Sequence, residues 1–91
     1  MSVQWLFDII QDRWENPLDG SYTSRLFADG LPKIAQKVGE EATETVVAAL
    51  AQDEQRLIEE VADLTYHTLV LLAARGLTPA EVEAELERRH K

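Results

Sequence analysis

The residues of this chain best suited to chemistry lie in two short acidic patterns, Glu40-Glu41-Ala42-Thr43-Glu44 and Glu60-Val61-Ala62-Asp63. Helical residues three or four apart share a face, so each pattern offers its carboxylates on one side of a helix. A short connection around Gln52 and Asp53 favours antiparallel packing of two such helices, which points both sets at one place. The convergence gathers about four negative charges with too few bases nearby to neutralise them. Hard cations such as Mg²⁺ and Mn²⁺ take oxygen ligands, and a carboxylate cluster between helices suits them. Lys33 and Lys37 lead into the glutamates on the same arc of the helix, a row that fits an anionic ligand bridged to metal. Upstream, Ser21, Tyr22, Thr23 and Arg25 supply hydroxyl and guanidinium donors of the kind that hold phosphate.

Composition supplies a plainer alternative. Asp and Glu make up 17 of the 91 residues, and chance alone yields about three acidic pairs at i, i+3 in such a chain. A single pair therefore decides nothing, and a solvated charged face accounts for it. The apolar sequence that follows Asp63 argues against a wet face at that point. His67, one turn beyond Asp63, reads either as a hydrogen-bonded core histidine or as an outer partner or general acid of the site. Trp5 and Trp14 read as packing of the first helix.

The charge balance, 9 Lys+Arg against 17 Asp+Glu for a net −8, disfavours nucleic-acid backbones, whose binding relies on a basic patch. The absence of cysteine removes a disulfide scaffold, a thiolate zinc site and a cysteine nucleophile together. Apolar runs such as Leu69 to Ala74 fall far short of the roughly 20 residues that span a bilayer. Asp8 and Asp12 precede the first base, which is wrong for a signal peptide. The expectation is a cytoplasmic protein of one domain, residues 1–91, small enough that a shared interface with a second copy adds stability its own core lacks.

The positioning elements are helices. Val3, Leu6, Phe7, Ile10 and Trp14 form an amphipathic stripe behind a capping Ser2. Residues 15–30 are rich in Asn, Pro, Gly, Ser, Thr and Asp and read as a loop with one short turn around Leu26 and Phe27. A second helix starts after Gly30, tolerates Pro32 in its first turn and runs to about Ala51. Gly39 within it indicates either a close approach by another group or a tolerated defect. Asp53 caps a third helix that reaches Arg75 and closes on Gly76. From Leu64 to Ala74 that helix is apolar at almost every angle and so is expected to be buried all round, the same helix pair of a second copy being the expected cover. Thr78-Pro79-Ala80-Glu81 is a capping box that opens a peripheral helix over about 79–90, with Arg88, Arg89, His90 and Lys91 as its solvated end. No stretch alternates as a strand. The fold class is all-α, a short helical hairpin protomer that forms a multi-helix bundle across a homodimer.

Taken together, Ser21-Tyr22-Thr23, the run Lys33-Ile34-Ala35-Gln36-Lys37-Val38-Gly39-Glu40-Glu41-Ala42-Thr43-Glu44, and Glu60-Val61-Ala62-Asp63-Leu64-Thr65-Tyr66-His67 closely resemble the phosphoribosyl-ATP pyrophosphohydrolases of histidine biosynthesis. The resemblance extends from about Val3 to Leu86. The Glu-Glu-x-x-Glu and Glu-x-x-Asp pair alone is shared with the wider all-α, MazG-like nucleoside triphosphate pyrophosphohydrolases and identifies chemistry only. The Ser-Tyr-Thr loop and the Lys-Ile-x-x-Lys-Val-Gly lead-in single out the histidine enzymes.

The resemblance implies an all-α homodimer that uses Mg²⁺, with Mn²⁺ as a substitute, to hydrolyse the α–β phosphoanhydride of phosphoribosyl-ATP to phosphoribosyl-AMP and pyrophosphate. It implies Glu41, Glu44, Glu60 and Asp63 as metal ligands and Glu40 as a water-orienting base. Ser21, Tyr22, Thr23, Arg25, Lys33 and Lys37 are implied as substrate-binding residues. The cyclohydrolase that acts next on phosphoribosyl-AMP is fused to this activity in many organisms; here a stand-alone enzyme is expected, with that cyclohydrolase as a docking partner. The alternatives are a house-cleaning pyrophosphatase of the same superfamily acting on free NTP or dNTP, and a non-catalytic helical dimerisation module.

Overall fold

A computed structural model describes residues 1–90. The chain forms α1 (Val3–Glu15), α2 (Tyr22–Asp29), α3 (Leu31–Ala51), α4 (Glu54–Ala74) and α5 (Pro79–Arg89), with no strand among the described residues. The expected all-α class and the helical hairpin are both present.

Local signals fix most boundaries. The Ser2 hydroxyl accepts the Trp5 N–H at 3.2 Å and starts α1. Asp53 accepts the Arg56 N–H at 2.9 Å and starts α4 immediately after α3 ends. Thr78 and Glu81 close the expected capping box, with the Thr78 N–H donating to Glu81 at 3.0 Å. Gly76 adopts φ +71°, the left-handed turn beyond α4. α5 buries only Pro79 and is peripheral, as its sparse apolar content indicates. Lys91, the last residue of its expected basic end, lies outside the described residues.

The segment 15–30 departs from expectation. In place of a loop with one turn, an eight-residue helix occupies Tyr22–Asp29. The Ser21 hydroxyl caps it by accepting the Ser24 N–H at 3.1 Å, and the Ser24 hydroxyl accepts the Leu18 N–H at 3.0 Å. Polar residues that resemble loop formers are here the capping groups. Gly30, at φ +96°, ends α2 and begins α3 in one residue, a conformation that L side chains rarely adopt. Among the described residues of the chain, a Cβ at Gly39 would meet nothing within 4 Å.

α3 and α4 form the antiparallel hairpin, and α1 and α2 cover the end away from its turn. The core consists of Phe7 and Ile10 of α1, Leu26 of α2, Ile34 of α3, and Leu69, Val70 and Ala73 of α4. Leu69, Val70 and Ala73 thus find their cover within the protomer, which corrects for these three residues the expectation that a second copy surrounds Leu64 to Ala74; Leu64, Leu71, Leu72 and Ala74 are only partly buried. The uncovered apolar face lies nearer the hairpin turn, where Leu50 is 84% exposed and Ile58 is 62% exposed, flanked by exposed Val46, Val47 and Val61.

Leu26 is the single fully buried side chain of α2. Leu26→Ala should therefore lower the unfolding free energy by about 2–5 kcal/mol in a denaturant titration. A loss below about 1 kcal/mol would show that α2 is not part of the core.

Candidate active site

The hairpin sets the two acidic patterns opposite each other. Glu41 on α3 and Glu60 on α4 are 6% and 5% exposed, unusual values for carboxylates. The Thr45 hydroxyl lies 2.8 Å from the Glu41 carbonyl and 3.3 Å from the Glu60 carbonyl, so one side chain ties the two helices at the level of the two acids. Asp63, one turn after Glu60 and exposed, completes a trio whose carboxylate oxygens lie within 4.8 Å of one another.

Each buried carboxylate is half-satisfied. Lys37 Nζ stands 3.6 Å from Glu41 Oε1, and Arg56 Nη2 stands 2.6 Å from Glu60 Oε1. The second oxygens, Glu41 Oε2 and Glu60 Oε2, are buried with no hydrogen-bond partner. Leaving such atoms unpaired costs free energy that a native structure ordinarily avoids. Burial and the adjoining Glu44 carboxyl, reinforced by the Asp63 charge, push the Glu60 carboxyl above its usual range, and Arg56 only partly opposes them. The donor set consists of carboxylate oxygens alone, two of them buried without a donor, and so fits a hard divalent cation.

The remaining expected residues surround this trio. Glu44 stands beside Glu60 but outside the three-oxygen cluster, in a cleft it shares with Thr43, Gln52 and Arg56. Glu40 is exposed, accepts the Gln36 amide at 2.8 Å and pairs with Lys37 at 3.4 Å. The hydrogen bond from Gln36, then that from Lys37, holds its carboxyl below the usual range. Partial burial acts to lower the Lys37 pKa, but the nearby Tyr22 hydroxyl and the Glu40 and Glu41 carboxylates outweigh it and leave that pKa raised. Lys33, one turn earlier, is exposed and makes no ion pair among the described residues.

On α2 the expected phosphate donors are largely engaged. The Ser21 hydroxyl caps the helix. The Tyr22 hydroxyl meets His67 Nε2 at 3.0 Å, and the Thr23 hydroxyl hydrogen-bonds the Tyr66 hydroxyl. The Arg25 guanidinium lies 5.4 Å from the centre of the Tyr22 ring. Two participants escaped the sequence reading of the site. Arg56 carried a signal, its i, i+4 spacing to Glu60; Tyr66 carried none, being indistinguishable from the apolar residues around it.

An apolar cleft lined by Leu72, Leu77, Val82 and Leu86 shares no residue with the carboxylates. The clustered carboxylates lie instead along the charged hairpin groove. The sequence model for phosphoribosyl-ATP pyrophosphohydrolase matches residues 3–90. The chain belongs to the phosphoribosyl-ATP pyrophosphohydrolase family. Among curated relatives, a phosphoribosyl-ATP pyrophosphatase of Pyrobaculum calidifontis is 57% identical over 89 residues, covering 98% of this chain and 95% of that protein. One from Saccharolobus solfataricus is 53% identical over 98% of this chain and 95% of its own length. One from Clostridium botulinum is 49% identical, over 98% and 81% respectively. Membership of the phosphoribosyl-ATP pyrophosphohydrolase family agrees with the all-helical architecture and with an acidic groove flanked by cations.

The burial of Glu60 beside Glu44 and Asp63 generates a stability prediction for the metal-free protein. A carboxyl whose folded pKa is raised contributes stability that is full below the usual value of 4.5 and is lost as pH rises through the raised value. In EDTA, Glu60→Gln should therefore melt above the parent protein at pH 7, and the gap should close below about pH 4.5. Equal melting temperatures at pH 7 would contradict the upward push on the Glu60 carboxyl by burial and the neighbouring Glu44.

Proposed function

We propose that the groove hydrolyses the α–β phosphoanhydride of phosphoribosyl-ATP, giving phosphoribosyl-AMP and pyrophosphate, the second step of histidine biosynthesis, with Mg²⁺ as the cation and Mn²⁺ as its substitute. The observation that carries the reading is the pair of buried, unpartnered oxygens on Glu41 and Glu60, in a member of this family. Glu41, Glu60 and Asp63 hold the metal, with Glu44 as a fourth carboxylate on the Glu60 side. Bound there, Mg²⁺ supplies neutralisation of the triphosphate charge and a more acidic water for in-line attack on phosphorus.

The protein's own groups do the positioning. Lys37 and Arg56 bracket the carboxylates from opposite ends of the hairpin groove and compensate part of their charge when metal is absent. Lys33, Lys37 and Arg25 present cations to the phosphates and to the phosphoribosyl group. Ser21 shapes the N-terminus of α2 through its cap, and Tyr22 and Thr23 hold that helix end beside the groove. Glu40, with its carboxyl held below the usual range and bonded to Gln36 and Lys37, aims Lys37 and orients water through its remaining acceptor capacity.

The exposed face of Val46, Val47, Leu50, Ile58 and Val61 is assigned to a second copy of the chain, giving a homodimer. Among the described residues no helix is long and apolar enough to cross a membrane. A cytoplasmic enzyme is part of the same proposal. Docking to phosphoribosyl-AMP cyclohydrolase belongs to the same reading, since that enzyme consumes the product.

Pyrophosphate release should occur from phosphoribosyl-ATP with Mg²⁺, vanish in EDTA and be slight with ATP or dNTPs. Glu41→Gln should lower kcat/KM by about 100-fold or more. Preference for free nucleotides would move the protein to the house-cleaning branch. Full activity in Glu41→Gln would overturn the metal assignment.

A further inference from the structure

His67 is a buried titratable residue, 5% exposed, that the reaction as described leaves without a task. Its two ring nitrogens have partners on different helices. Nδ1 lies 2.7 Å from the backbone carbonyl of Asp63, and Nε2 lies 3.0 Å from the Tyr22 hydroxyl. A carbonyl oxygen only accepts, so Nδ1 carries the proton; in the neutral ring Nε2 is then the acceptor and the Tyr22 hydroxyl donates to it. The ring packs edge-on against Tyr66 at 4.9 Å and Tyr22 at 5.8 Å between centroids, and those two rings stack on each other at 6.2 Å. Its rotation is therefore restricted, and the hydrogen-bond direction at Nε2 is set by the α4 backbone at Asp63.

We infer that His67 is a positioning residue, fixing the N-terminal end of α2 against the carboxylate-bearing part of α4. This rests on the proposed phosphoribosyl-ATP reading. The anchor fixes the angle at which Tyr22 stands. Tyr22 in turn carries Arg25 on its ring and borders Lys37, two of the cations proposed to hold substrate. The Thr23 to Tyr66 hydrogen bond is a second tether at the next position on each helix. Leu26, not Tyr22, supplies the buried packing of α2, and Tyr22 is 39% exposed. Loss of the His67 anchor thus displaces the substrate-facing end of α2 and leaves the helix docked. Small misplacements of binding groups affect substrate affinity strongly, so the effect belongs to KM.

The test is a double-mutant cycle on pyrophosphate release from phosphoribosyl-ATP at saturating Mg²⁺, with substrate saturation curves for each variant. His67→Asn keeps a donor for the Asp63 carbonyl but cannot reach Tyr22, and Tyr22→Phe removes the other partner. Each should raise KM about fivefold, the value of one hydrogen bond, with kcat within about twofold. The double variant should be no worse than either single one. His67→Gln, whose longer side chain returns an acceptor toward Tyr22, should bring KM back to within about twofold. Multiplicative effects in the double variant, or a fall in kcat at constant KM, would overturn the inference. Tyr22→Phe alters an exposed position and keeps the test decisive even where His67→Asn fails to fold. Hydrogen exchange of the metal-free protein gives a readout independent of activity: His67→Asn should speed exchange of α2 amides about fivefold and leave the α3–α4 contact unchanged. Uniform acceleration, or none, would refute the anchor. An inactive parent protein would defeat the substrate reading instead, and the exchange result would still decide whether His67 holds α2.

Discussion

Two carboxylates held face to face, nearly out of water, set the terms for this small fold. Burying Glu41 and Glu60 together is unfavourable on both counts that matter, desolvation and like charge. The sequence could relieve this by moving either acid one position around its helix, and it does not. Instead the Thr45 hydroxyl ties the opposing carbonyls and fixes the register of α3 against α4, while Lys37 and Arg56 each compensate one oxygen. Two oxygens are left over. A divalent cation is the group of matching charge and ligand preference, and the proposed metal centre would relieve this arrangement.

The rest of the chain follows from keeping that hairpin in register. α1 and α2 close the core at the end remote from the turn, around Ile10, Leu26, Ile34 and Val70. That leaves the turn-side half of the hairpin with its acids lining a groove and its apolar residues on an exposed face. The division is economical in a chain of 91 residues: one end of the hairpin provides stability within the protomer, and the other holds the proposed site and the apolar face proposed for a second copy. α2 connects the core to α4, since Leu26 belongs to the core while Tyr22 and Thr23 hydrogen-bond His67 and Tyr66.

Much of this was legible in the sequence because local rules and tertiary demands agree. The stripes of α1, the Asp53 cap, Gly76 and the Thr78 capping box each have short-range causes, and the helix limits follow them closely. The convergence of the two acidic patterns was legible from their spacing and the short connection between the helices, whereas the choice of Glu41, Glu60 and Asp63 within them came from the family resemblance. α2 was not, because Ser21 and Ser24 serve as capping groups, and the same residue types form open loops elsewhere. The engagement of Tyr22 and Thr23 by His67 and Tyr66 was equally hidden, since these contacts span 45 and 43 positions and no periodicity reports such a pairing. The cover of Leu69, Val70 and Ala73 was misplaced for the same reason: an apolar helix face states that it must be buried, not by what.

The central claim is that the Glu41, Glu60 and Asp63 oxygens form a metal centre. Anomalous diffraction from crystals grown with Mn²⁺ tests it without reference to turnover. The account predicts an anomalous peak within about 2.0–2.3 Å of oxygens from these three residues, with Glu44 adjoining. Crystals of active protein that show no peak between α3 and α4, or whose only Mn²⁺ lies away from these carboxylates, would contradict it.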